Sequence, residues 1–121
     1  MKITQMLNNR GNAWANQFVV RFDSYNIEIL QSYNSKVVLL DFGENHITFG
    51  DDWNYSNTTR RAVYKFLGDN IGELPGGKAW NGDIIKKALE SGELVDRYGN
   101  IWTVAPACDD YFEDFFKGGA K

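Results

Sequence analysis

The chain carries one histidine and one cysteine, so a reactive centre would have to form around His46, Cys108 or the carboxylates. No acid, serine or cysteine stands from His46 at a spacing that marks a catalytic triad, and the expected role of His46 is structural, at the end of a strand. Cys108 is followed by Asp109 and Asp110. Neighbouring anions oppose formation of the thiolate, so this thiol is expected to be small, inert packing. Zinc needs several sulfur or imidazole ligands, and one of each is too few. Asp51-Asp52 and Asp109-Asp110 are oxygen donors of the kind that Mg²⁺ or Ca²⁺ accepts. No Asp-x-Asp-x-Asp-Gly loop surrounds them, and adjacent acids of this kind usually mark exposed loops or helix starts. Pro75-Gly76-Gly77-Lys78 lacks the Gly-x-x-x-x-Gly-Lys-Ser/Thr spacing of a phosphate loop, and no strand immediately precedes it. The expectation is therefore no catalytic residue, no cofactor and no metal: a binder rather than an enzyme.

Two clusters could make contacts instead. The stretch Trp53–Gly68, WNYSNTTRRAVYKFLG, holds the densest basic group of the chain. Arg60, Arg61 and Lys65 could meet phosphates or carboxylates, with Trp53, Tyr55 and Tyr64 beside them to stack on bases. The plainer account of the same residues is a solvated helix face. The second cluster is Asp109-Asp110-Tyr111-Phe112-Glu113-Asp114-Phe115-Phe116, where four acids interleave with four aromatic rings. As a helix it would put Phe112, Phe115 and Phe116 on one face and dock there, with Asp109 and Asp110 favourably near the positive end of its dipole. Alternatively, its carboxylates and rings imitate the phosphates and bases of a single strand and bind a positive groove, on this chain or on another protein. On that reading Asp109, Asp110, Tyr111, Phe112, Glu113 and Asp114 are the protein-binding candidates.

Composition narrows the choice. The 13 basic and 16 acidic side chains leave a net charge of −3, whereas a general nucleic-acid binder is usually basic overall. A lone cysteine excludes an internal disulfide and fits a reducing compartment. Met1–Asn9 lacks the charged start and apolar run of a secretory signal, and the longest aliphatic run, Val37–Leu40, is far short of a membrane span. A cytoplasmic protein without membrane contact is expected.

The elements that would position these residues follow from periodicity. Ile3, Met6 and Leu7 have helical spacing and suggest a short N-terminal helical turn. Residues 17–23, 27–32, 36–42 and 46–49 alternate or run apolar between turn residues, and read as four antiparallel strands of a meander. Its apolar face needs a cover. In the amphipathic helix at 57–67, capped by Ser56 or Asn57, Ala62, Val63, Phe66 and Leu67 share one arc and Gly68 supplies the stop. Residues 69–82, with four glycines and a proline, read as a long loose loop. A second helix is expected at 83–91, with Asn81 as cap and Gly92 as stop. A β-hairpin at 94–96 and 101–104 follows, with Pro106 ending it, and a short C-terminal helix at 109–117 comes last. The fold class is α+β, one domain over 1–121, with 118–121 frayed. The unpaired edges of such a sheet leave a homodimer open.

Several segments resemble a small family of uncharacterised proteins encoded by bacteriophages and other mobile elements of bacteria. They are MKITQMLNNRGN at the start, Ala15-Asn16-Gln17-Phe18, Gln31-Ser32-Tyr33-Asn34-Ser35, Tyr55-Ser56, Thr58-Thr59 and Phe66-Leu67-Gly68. The resemblance covers about residues 1–68 and implies an origin, not an activity: a small viral accessory protein made inside a bacterium. Such proteins often bind host machinery, defence nucleases included. The leading expectation is therefore a non-enzymatic accessory protein that binds, and could inhibit, a host or viral protein. The alternative is a small nucleic-acid-binding module using the basic face of the 57–67 helix.

Overall fold

The computed structural model describes residues 1–107. Five strands follow one another as an antiparallel meander: β1 (Lys2–Leu7), β2 (Ala13–Phe22), β3 (Ile27–Ser32), β4 (Ser35–Asp41) and β5 (His46–Phe49). Two helices come next, α1 (Asn57–Ile71) and α2 (Gly82–Ser91), then β6 (Glu93–Val95) and β7 (Ile101–Pro106). The seven strands of the described residues form one sheet in the order β1-β2-β3-β4-β5-β7-β6.

The expected four-stranded meander is present as β2–β5 and is extended at both sides. At the N-terminus the expected helical turn is a strand instead. β1 pairs antiparallel with β2, Lys2 opposite Arg21 and Ile3 opposite Val20. Met6 alone of its residues is buried, as an edge strand requires, and a single inward side chain leaves too little alternation to outweigh the 3–4 spacing of Ile3, Met6 and Leu7. On the other side the expected hairpin is present, β6 antiparallel to β7 with Leu94 opposite Trp102, and it joins the same sheet. β7 runs parallel to β5, with Ile47 opposite Val104 and Phe49 opposite Pro106.

Period-two alternation divides the core between the two faces of the sheet. Leu30, Val38, Leu40, Ile47, Phe49 and Val104 belong to the cluster that α1 covers with Ala62, Val63, Phe66 and Leu67. Val20, Phe22, Ile27, Ile29 and Leu39 form a second cluster, with Ala107 against it. As expected, β4 is apolar on both faces: Val37 through Leu40 are all fully buried.

The helix starts fall where the sequence puts them. Ser56 accepts the backbone N–H of Thr59 at 3.1 Å, and Asn81 accepts that of Ile84 at 3.0 Å. α2 ends at Gly92 in the left-handed region, as expected. α1 overruns its expected stop. Gly68 stays helical against the indole of Trp80, and the chain leaves the helix at Gly72, φ +91°, whose N–H reaches Gly68 O at 2.9 Å.

The segment 69–82 is not the loose loop its glycines suggest. It begins as the last turn of α1. Leu74 and Lys78 then bridge across a Pro75–Gly77 turn that sets Gly76 and Gly77 at φ +79° and +72°. Trp80 is buried, and its Nε1–H donates to Gly72 O at 2.9 Å. The expected helix at 109–117, the frayed 118–121, Cys108 and the candidates Asp109–Asp114 lie outside the described residues. No helix among the described residues is long and apolar enough to cross a membrane.

Candidate functional site

The basic cluster on α1 is largely engaged with its own chain. Arg60 donates from Nη1 to Asn54 O at 3.2 Å and from Nη2 to Asn57 Oδ1. Lys65 is paired with Asp69 one turn on, Nζ to Oδ2 at 3.0 Å. Arg61 is exposed. The rings expected to stack on bases are divided. Trp53 is a core residue, packed edge-on against Phe49 with ring centroids 6.0 Å apart, so its faces are not offered to a base. Tyr64 is half-buried, and its hydroxyl lies against Gly82, where an added Cβ would come within 3.4 Å of it. Tyr55 is 77% exposed. The helix thus brings Arg61, Tyr64 and Lys65 to a shallow surface, while Tyr55 points to a different place.

That place is a recess of about 590 Å³ between the β3–β4 hairpin and the start of α1. The hairpin supplies Ser32, Tyr33, Asn34, Ser35 and Val37. The loop leading into α1 supplies Asp52, Tyr55 and Ser56, and the first turn adds Thr58 and Thr59. Three contacts fix the two walls together. Ser32 Oγ and Thr59 Oγ1 are 2.9 Å apart and buried, joining the end of β3 to the helix. Ser35 Oγ donates to Asp52 Oδ2 at 2.9 Å. Val37 O accepts the N–H of Gly50 at 2.8 Å, holding the loop to the hairpin. Ser56 does double duty as the cap of α1 and as lining.

Tyr33 is held in an unusual conformation. It sits at φ +56° in the tight turn between Ser32 and Ser35, a region that costs a residue with a bulky side chain roughly 1–2 kcal/mol. Its N–H donates to Asn16 O at 2.7 Å, and its carbonyl accepts from Gln31 Nε2 at 3.0 Å. Outliers of this kind gather where a side chain is needed in a particular place. Asparagine tolerates this conformation, so Tyr33→Asn is expected to raise stability by about 0.5–1 kcal/mol, read as a higher urea midpoint at unchanged m.

Chemically the recess is rich in acceptors. Among the described residues its lining has one carboxylate, one side-chain amide, seven hydroxyl groups and no lysine, arginine or histidine. Among the described residues Val37 is the one aliphatic member of the lining. Two half-exposed or exposed rings, Tyr33 and Tyr55, stand one on each wall.

His46 and Asp96 make contacts away from the recess. His46 Nδ1 lies 2.6 Å from Thr103 Oγ1 across the parallel β5–β7 seam, the strand-end role expected of it. Asp96 is 3% exposed in the β6–β7 turn. Burial alone would push its carboxyl up. The indole N–H of Trp102, the backbone and side-chain amides of Asn100 and the backbone N–H of Tyr98 outweigh that and hold it below the ordinary range. Among the described residues no three His, Cys, Asp or Glu side chains gather where they could hold a metal.

Residues 1–82 match the model of a family of unknown function, DUF8033. The chain belongs to that family. No curated protein and no solved structure matches it. Every residue that lines the recess falls inside the matched segment. In the sequence, Tyr55 of this lining suggests stacking on bases and Ser56 a helix cap, while Ser32–Ser35 and Thr58-Thr59 stand out as strand-end and turn residues and as pieces of a resemblance. The signal available is their composition, three short runs of hydroxyl residues, two of them with a tyrosine. What the sequence could not show is that a hairpin and a helix cap more than twenty residues apart bring those runs together.

Proposed function

We propose that this protein is a non-enzymatic binding protein whose partner, a host or viral protein, is recognised through the recess between the β3–β4 hairpin and the start of α1. The observation that carries the reading is the lining itself. Tyrosine, serine, threonine and asparagine are the side chains that serve adaptable protein recognition in antibody loops, where rings give contact area at low entropic cost and hydroxyls give hydrogen bonds. Here they are displayed on a hairpin and a helix start that are cross-braced by buried hydrogen bonds. A rigid mount of this kind lowers the ordering cost of association. The viral origin implied by the first-half resemblance is compatible with a small accessory protein that acts by contact. The acidic run at Asp109–Phe116 remains a second contact segment on this reading.

The nucleic-acid reading has less behind it. Trp53 is committed to the core, and Arg60 and Lys65 are committed to neighbours on their own chain.

The test is capture from a bacterial lysate on immobilised protein. Wild type should retain a partner in stoichiometric amount, and Tyr55→Ala should lose it. With its ring 77% exposed, Tyr55 contributes little to folding, so the variant's thermal midpoint should stay within about 2 °C of wild type. Full retention by Tyr55→Ala would remove the recess as the site.

A further inference from the structure

We infer that the group this recess takes from its partner is an arginine side chain, an inference that rests on the recess being the binding site. Among the described residues the lining offers Asp52 as a carboxylate, Asn34 and the Thr58 hydroxyl as further acceptors, and no basic side chain to compete. A guanidinium is the complement of that set. It carries five N–H donors and no acceptor, and it pairs with a carboxylate through two parallel hydrogen bonds. Its flat faces also stack on aromatic rings, and Tyr33 and Tyr55 present one ring from each wall.

Other occupants fit less well. An apolar anchor would find Val37 and the Tyr33 and Tyr55 rings, but would leave Asp52 and the hydroxyls of the lining without a partner. An anion would face Asp52. The first turn of α1 favours negative charge and opposes a cation, but a helix end is worth about half an elementary charge, and the Asp52 carboxylate carries a whole one. The chain is acidic overall, so long-range attraction also favours a basic partner. Lysine can satisfy Asp52, but it is a compact, strongly hydrated charge without a flat face to lie between rings. The recess exceeds the volume of one side chain, so the flanking backbone of the partner segment would enter with it.

The experiment is an amide-resolved NMR titration of the full chain at low salt. The ligands are a blocked five-residue peptide with a central arginine and its lysine, citrulline and glutamate counterparts. The arginine peptide should shift the amides of Tyr33, Ser35, Asp52 and Tyr55. Citrulline keeps the shape and loses the charge, and should bind about tenfold more weakly, the loss of one charge-assisted contact at 1.4 kcal/mol per decade. Lysine should fall between them. Asp52→Asn retains an acceptor for Ser35, so the fold should hold, and it should weaken the arginine peptide about tenfold. Equal binding of arginine and citrulline, preference for glutamate, shifts confined to other residues, or no shift at millimolar peptide would each overturn the inference. If the arginine peptide fails while Tyr55→Ala still loses the captured protein, the recess stands and its ligand is another chemistry. If both fail, the recess is not the site.

Discussion

Phe66→Ala will lower the free energy of unfolding by about 3–5 kcal/mol, out of a total of about 5–15 kcal/mol for a domain of this kind. Phe66 is 1% exposed and stands on the covered face of α1 among Leu30, Val38, Leu40 and Ile47. Removing the ring takes away its transfer free energy and leaves a cavity that a stiff sheet cannot collapse to fill. The consequence reaches the recess. Thr58 and Thr59 belong to the first turn of the same helix, and Thr59 is half of the buried pair with Ser32. In urea the variant should show a markedly lower midpoint at unchanged m, and a midpoint shift worth less than 1 kcal/mol would mean that α1 is not the lid of the core.

Asp96→Ala is expected to cost about 3 kcal/mol at neutral pH, a turn substitution with a core-sized effect. One oxygen of Asp96 accepts the N–H groups of Tyr98 and Asn100, both at 2.9 Å. The other accepts the side-chain amide of Asn100 at 3.2 Å and the indole of Trp102 at 3.1 Å. Alanine leaves those donors without an acceptor, and the indole is in the interior, where an unmade hydrogen bond is expensive. The effect depends on pH in a fixed direction. The folded chain holds this carboxyl below its ordinary value of 3.8, so the unfolded chain takes up the proton first as pH falls. The stabilisation is complete above the ordinary value and is lost as pH drops through the lowered folded one. The stability gap between wild type and variant should therefore narrow in strong acid and be fully open by about pH 5. A gap that persists unchanged at low pH would show that charge on Asp96 is not what the turn uses.

Much of this architecture is legible in the chain because local signals agree with it. Ser56, Asn81 and Gly92 mark helix limits through backbone hydrogen bonds that depend on nearest neighbours only. The alternation of Phe18, Val20 and Phe22, and the run Val37–Leu40, announce strands because one or both of their faces are buried. The misreadings share the opposite property. β1 buries one residue, so its pattern carries little information. Gly68 is a good stop that goes unused because Trp80, twelve residues on, gives the helix a surface to continue along. Trp53 and Tyr55 are two residues apart and read alike, yet one packs on Phe49 and the other faces solvent, a difference set by where the loop crosses the core edge. The recess was out of reach for the same reason: its two walls meet only in three dimensions.

The parallel seam between β5 and β7 bears on how the molecule assembles. Every other ladder joins strands that follow one another along the chain, whereas this one waits on an excursion from residue 50 to residue 100 that contains both helices. Closing so long a loop carries the larger entropic cost, and contacts of that kind set the pace of folding. The meander and the hairpin that shapes the recess can therefore zip up from local contacts early. The β5–β7 ladder, which brings Trp102 and Val104 into the core, is expected to form after them.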